Sequence, residues 1–459
     1  MPETPNKKTP ITKRHYSRKH SRKHTHSNSG YRLYENDKKT RLLLLPDRHE
    51  TATASIFFYF KVGSKDEGEN VHGISHFIEH MLYKGSAKYK NYLDISKTFD
   101  ANGISYNAFT SKDMTAYHYK FLSTPDNLDL ICKITADMLF SPLMRTSDIT
   151  PERNVIIQEL KDDEDDIDDY INNILEERLL SGHPLSRPII GTIDSLNGIG
   201  RAELVKYHET HYTPANLMIV ISGNLPNKFM NCISRYFTGK FREISINERR
   251  PVALIPYSDK HSSYTIDCLS KSLQQDYIHL IFKTRGYFDP HLLEYKMLAN
   301  ILGGNMSSRL FIEIREKLGL VYSISCDITY YEEVGYFDII TQNESKNTIK
   351  CIANILAQLV KIKKHGINEL ELKENKKNYC DIFRTNFDDI EYENEYYAKQ
   401  IIFNKPFEPA SERIRKINSL TCADIQKAAN ELFDFNKIHI ITFGENKKTA
   451  INHVLRKYL

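Results

Sequence analysis

Tryptophan is missing from this 459-residue chain, and no stretch of it approaches the roughly 18 to 20 consecutive apolar residues that a membrane-crossing helix needs. The sequence therefore offers no membrane span. Cysteine is scarce: seven residues (Cys132, Cys232, Cys268, Cys326, Cys351, Cys380, Cys422) stand far apart, odd in number and without a C-x-x-C pair. That pattern suits neither a disulfide framework nor a thiolate metal site, and it favours an intracellular reducing compartment. The first 30 residues hold hardly any large aliphatic side chain beyond Ile11, so they lack the apolar core of a secretory leader. Their basic residues also lack the apolar face of a mitochondrial presequence, which favours the cytoplasm over the mitochondrion. A surplus of one charge sign is missing too. The formal charge is only +4, and eight Lys/Arg against one Glu fall in residues 1–30, so the other 429 residues carry 55 basic and 58 acidic groups. No global basic field for nucleic acid results, and any contact of the tail with polyanions is expected to be weak and salt-sensitive.

What is present suffices for more than one core: 40% of the residues are hydrophobic, and at roughly 100 to 200 residues per domain the length holds two to four domains. Residues 1–30, rich in Lys, Arg, His and Ser without apolar periodicity, are expected to be a disordered basic tail. RLLLLP at 41–46 and TASIFFYFKVG at 53–63 read as strands, and the pattern turns helical from Gly73 to Lys84. NAFTSKDMTAYHYKFLS at 107–123 reads as a strand pair, followed by an amphipathic helix from Asn127 to Leu139. Strands and helices alternate without a strict βαβ rhythm, which predicts an α+β sheet with helices on one face. The pattern also repeats. SLNGIGRAELVKYHETHYTPANLMIVISGN at 195–224 has a counterpart in SLTCADIQKAANELFDFNKIHIITFGEN at 419–446, each a helix, a buried strand and a Gly turn. The expected architecture is two similar α/β-sandwich halves in tandem, 31–241 and 261–459, joined by a charged and Pro-interrupted linker at 242–260.

The sharpest local signal is HGISHFIEHMLYKGS at 72–86. Here His76, Glu79 and His80 form H-x-x-E-H in a helical pattern whose other face is Phe77, Ile78, Met81 and Leu82. Positions i and i+4 share a helix face, so both imidazoles can reach one ion, and Glu79 projects beside them. A catalytic zinc takes three protein ligands and leaves a position open, so a third ligand must come from elsewhere. The candidate is TPERNVIIQELKDDEDD at 150–166, read as a helix capped by Thr150 with Pro151 at its first position. Glu152 and Glu159 then lie two turns apart on one face, one free to ligate and the other to orient. The acidic run 162–166 lacks the Gly and ligand spacing of a calcium loop and reads as a solvated helix end. HETH at 208–211 has no third-ligand segment and reads as structural.

H-x-x-E-H followed about 80 residues later by E-R-N-V-I-I-Q-E resembles the inverted-zincin metallopeptidases of the pitrilysin and insulysin family. ISYNAFTSKDMTAYHY at 104–119, HPLSRPIIGT at 183–192 and GGNMSSRLFIEIREKLGLVYSI at 303–324 extend the likeness over residues 31–446. It is closest to the short, two-domain branch that includes organellar processing peptidases and bacterial zinc proteases. The resemblance implies one zinc per chain held by His76, His80 and Glu159, with Glu79 as general base and Glu152 supporting the ligands. It further implies that Asn107 and Ala108 lie on an edge strand that takes up extended peptide by main-chain hydrogen bonds. Arg315 and Tyr322 match a pair that holds substrate or steadies the transition-state oxygen.

The implied function is zinc-dependent endopeptidase, cleaving extended or presequence-like peptides. The alternative is a non-catalytic scaffold or regulatory subunit of the same fold, against which the intact ligand set stands. The family's active form is built from four related domains. A chain of two halves is therefore expected to pair as a homodimer, with a heterodimer with a related chain as the other arrangement.

Overall fold

The computed structural model describes residues 30–45, 52–248, 250, 257, 263–445 and 447–459. The tail expected to be disordered lies outside the described residues except for Gly30. The first sheet contains β1 (Arg32–Glu35), β2 (Arg41–Leu44), β3 (Thr53–Phe60), β4 (Ser105–Thr110), β5 (Thr115–Leu122), β6 (Leu217–Gly223) and β7 (Arg242–Ile244), in the order β4-β5-β3-β6-β2-β1-β7. The second contains β8 (Thr265–Leu269), β9 (Asp276–Thr284), β10 (Ile324–Tyr330), β11 (Gly335–Asn343) and β12 (His439–Phe443), in the order β10-β11-β9-β12-β8. All pairings are antiparallel except β2 with β6 and β8 with β12. The second order is therefore the first with β1 and β7 removed, so the tandem repeat seen in the sequence is a repeat of topology. β7 falls inside the stretch 242–260 expected to be a linker and pairs with β1 in the first sheet.

Helices were expected on one face of each sheet, and here the structure differs. On β3, Ala54, Ile56, Phe58 and Phe60 face a core shared with the helix Ile74–Leu82, while Phe57 and Tyr59 face a second apolar layer. That second layer is supplied by the other half of the chain: Tyr397, Ala398, Ile401 and Ile402 of the helix Ile390–Ile402 cover the back of the first sheet. In return, Ile171, Leu175 and Leu179 of the helix Ile167–Leu179 cover Ile281, Ile441 and Phe443 on the back of the second sheet. The reason is visible in the strands. β3 and β6 are buried at nearly every position and apolar in both parities, and a sheet with two apolar faces needs two covers.

A buried ionic cluster fastens the same interface. Lys65 Nζ, with Lys65 only 5% exposed, lies 2.9 Å from Asp113, 2.8 Å from Glu333 and 3.3 Å from Glu332, and Lys61 bonds Glu332 at 2.7 Å. The turn between β10 and β11 thus docks against the first half through matched charges.

Candidate metal centre

The helix Ile74–Leu82 buries Ile74, Phe77, Ile78, Met81 and Leu82 almost completely, which turns His76, Glu79 and His80 to the opposite face. Its start is fixed by a close crossing. Gly73 has φ +88°, and a Cβ there would lie 2.3 Å from the Ile190 carbonyl oxygen, so only glycine fits. The Glu67 carboxylate accepts hydrogen bonds from the Gly73 and Ser75 N–H groups at 2.8 and 2.9 Å, satisfying donors that the first turn leaves open.

The second ligand helix runs over Thr146–Asp165, beginning at Arg145 as cap and not at Thr150, so Pro151 lies inside it. The extra turn is held by burial of Ile149 and by the Arg145 side chain, which reaches Asp148 at 2.7 Å and the Lys90 and Lys84 carbonyls. This helix brings Glu159 to the two histidines. His76 Nε2 and His80 Nε2 lie 3.2 Å apart, and each is 3.6 Å from a Glu159 carboxylate oxygen. Ligands about 2.0–2.1 Å from a tetrahedral zinc stand roughly 3.3 Å from one another, so the two imidazole nitrogens and the Glu159 carboxylate, whose Oε1 faces His76 and Oε2 His80, stand at spacings that suit the ion. Among the described residues this is the one trio of His, Cys, Asp or Glu so arranged.

The surrounding charges prepare these atoms. Glu152, 5% exposed, accepts from His80 Nδ1 at 2.8 Å, which leaves the His80 Nε2 lone pair directed at the cluster. Lys84 bonds the other Glu152 oxygen. Burial, reinforced by His80, pulls the His76 pKa down to about 3, so its imidazole is neutral and able to ligate at ordinary pH. Burial pushes the Glu79 carboxyl above its usual range, opposed by a 2.6 Å hydrogen bond from Thr110 Oγ1. Thr110 ends β4, the free edge of the first sheet, on which Asn107 is exposed and Ala108 partly so. The Ala108 N–H donates to Asn107 Oδ1 at 2.9 Å. A cavity beside Glu79 and His80 is bordered by Tyr92, Tyr106, Asn107 and Ala108.

Two models of one family cover most of the chain: "Insulinase (Peptidase family M16)" matches residues 42–193 and "Peptidase M16 inactive domain" residues 198–379. The chain belongs to the M16 family. Among its relatives, an uncharacterized zinc protease of Bacillus subtilis is 27% identical over 393 residues, 85% of this chain and 93% of the relative. An uncharacterized zinc protease of Mycobacterium bovis is 31% identical over 288 residues, 62% of this chain and 64% of the relative. In structure the chain is similar to a protease from Helicobacter pylori, with a TM-score of 0.81 at 20% identity over 90% of this chain and 99% of that one. The Escherichia coli periplasmic protease PqqL gives 0.79 at 18% identity, covering 94% of this chain and half of that one.

Within this M16 chain the structure gathers His76, His80, Glu159, Glu152 and Glu79 at one place and sets Asn107 and Ala108 beside them. It does not bring Arg315 and Tyr322 there. Their contacts stay in the second half: the Arg315 guanidinium lies 4.5 Å from the Phe311 ring and 5.7 Å from the Tyr322 ring, with Glu316 at 2.7 Å, and Tyr322 is 77% exposed. The second half places helix Leu292–Gly303 where the first has its motif helix, and its sequence LLEYKMLANILG carries no histidine. HETH is structural as expected: His208 Nε2 bonds the Leu139 carbonyl at 2.8 Å, and the His211 ring rests on Tyr207. Sequence reasoning missed Thr110, Lys84 and Glu67. Lys84 stands four residues after His80 and was open to the same helical count, whereas Thr110 meets Glu79 only because β4 folds back over the helix.

Proposed function

We propose that this M16 chain is a zinc-dependent endopeptidase acting on extended peptides. The observation that carries this reading is the convergence of His76 Nε2, His80 Nε2 and a Glu159 oxygen beside a buried carboxylate, Glu79, that is not itself needed as a ligand. His76, His80 and Glu159 would hold zinc, which when bound supplies Lewis-acid polarisation of a carbonyl and acidification of water. Glu79 takes the proton from the attacking water and delivers it to the leaving amine, a role suited to a carboxylate whose pKa burial has raised. Thr110 fixes the Glu79 carboxylate by its hydrogen bond. The free edge of β4 offers main-chain groups at Asn107 and Ala108 for pairing with extended peptide, which lays a scissile bond across the motif helix. Arg315 and Tyr322 are proposed to contact substrate from a second copy of the chain, in a homodimer. An intracellular reducing compartment is part of the same proposal, on the scattered and odd-numbered cysteines of the sequence.

The test is cleavage-site profiling on a peptide library with purified protein, its Glu79→Gln variant and a chelated sample. Hydrolysis should vanish with the chelator and return with zinc, and Glu79→Gln should keep zinc yet lose turnover. Unchanged hydrolysis by Glu79→Gln, or full zinc occupancy in a His76→Ala/His80→Ala double variant, would overturn the reading.

A further inference from the structure

A cavity of about 570 Å³ opens in the second half, between the end of β10, the start of helix Leu292–Gly303 and the helices Ile390–Ile402 and Ala410–Ser419. It shares no residue with the metal centre. Its wall is aromatic: Tyr287 and Tyr330 stack with centroids 5.6 Å apart, and Tyr379, Tyr392 and Tyr396 complete the lining.

Two lysines enter this wall without an anion. Lys405 Nζ lies 4.1 Å from the centroid of Tyr287. Lys296 Nζ lies 4.2 Å from that of Tyr330 and donates to its hydroxyl at 3.0 Å. Among the described residues no carboxylate pairs with either ammonium, because those of the cavity are engaged elsewhere. Glu395 holds Lys399 at 2.5 Å, Glu408 holds both Arg413 and Lys416 at 2.5 Å, and Glu412 holds Arg415 at 2.6 Å. Asp289 accepts the Arg285 and His291 N–H groups, each at 2.9 Å. Burial, then the nearby Arg413 and Lys296 charges, pull Lys405 down to about 8, against a weaker attraction from Glu408, which is not in ion-pair contact with it. A partly desolvated cation with no carboxylate in ion-pair contact is costly, and cation–π contact returns only part of that cost. A volume of this size accepts a molecule, not merely a simple ion.

We propose that this cavity binds a small molecule in which a planar ring carries an anionic group, the ring among Tyr379, Tyr392 and Tyr396 and the anion on Lys296 and Lys405. Phosphate and carboxylate share the chemistry these lysines select. Calorimetry on the full-length chain should therefore compare adenosine 5′-monophosphate and phenylpyruvate as ring anions with adenosine and inorganic phosphate as the separate parts. At least one ring anion is expected to bind, about tenfold or more tighter than either part. Lys405→Met and Lys296→Met should each weaken it about tenfold or more, as loss of a charged hydrogen-bond donor does. A second readout separates binding from folding. Without ligand, Lys405→Met should melt at or above the wild-type temperature, since an uncompensated cation is removed, whereas a lysine that holds the fold would lower it when lost. The proposal is overturned if neither ring anion binds at millimolar concentration, if a separate part binds as tightly, if both variants bind unchanged, or if Lys405→Met melts lower.

Discussion

Replacing Glu152 by alanine leaves all three proposed zinc ligands in place and removes only the group behind His80. Glu152 is 5% exposed and accepts from His80 Nδ1 at 2.8 Å, a charge-assisted bond in a partly buried setting. Such a bond contributes about 1.5–3 kcal/mol. The bond forms in the metal-free chain too, and it counts towards zinc affinity because an ion on His80 Nε2 fixes the proton on Nδ1. At about 1.4 kcal/mol per decade, zinc affinity should fall about ten- to a hundredfold. Lys84, which loses the same partner, is about a third exposed and can turn to water, so little is added on its account. The assay is zinc competition against a chromogenic chelator at fixed pH, with Glu152→Gln as a second variant. Glutamine keeps an acceptor but not the charge and should fall between wild type and alanine. Zinc affinity within twofold of wild type in a folded Glu152→Ala protein would refute the reasoning, since His80 would then need no partner to direct its ring.

Leu175, 1% exposed on the helix that crosses to the second sheet, should cost about 2–5 kcal/mol as alanine in urea unfolding, while Val155→Ala at a 52% exposed site should stay within about 0.5 kcal/mol. Lys65→Met strands the Asp113 and Glu333 carboxylates and should destabilise by about 3–5 kcal/mol; a loss below about 1 kcal/mol would show that the cluster is relaxed by water. Burial opposes the Lys65 ammonium, but Asp113 and Glu333 hold its pKa above the ordinary lysine value. A raised folded value means that its contribution is whole below about pH 10 and is lost as pH rises through the raised value, so wild type and variant should converge only in strong alkali. Mixing Glu79→Gln with Arg315→Ala chains should restore part of the peptidase activity if a second copy supplies Arg315; failure despite demonstrated subunit exchange would place the site within one chain.

The local chemistry was legible without coordinates. H-x-x-E-H on a helix needs only the 3.6-residue period to set His76 and His80 on one face, and the same period puts Glu152 and Glu159 two turns apart. The repeat was legible for a similar reason, since helix, buried strand and Gly turn recur in the same order. The start of the ligand helix was misjudged at Thr150, because a Thr-Pro pair is a strong starting signal and the burial of Ile149 that extends the helix is a tertiary event.

By itself the sequence determined which residues could share a helix face, and hence that two imidazoles and a carboxylate stand together, because those spacings are properties of one backbone. Helical spacing left open which of Glu152 and Glu159 joins the histidines, and the family resemblance pointed to Glu159; the tertiary structure brings Glu159 to them, because the choice depends on how far one helix has slid along another. The tertiary structure alone decided that each half lends a helix to the other's sheet. The signal for that exchange lay in β3, apolar in both parities, but an apolar face states only that it must be covered. Burial is not directional, and which segment supplies the cover is settled by where the rest of the chain can reach.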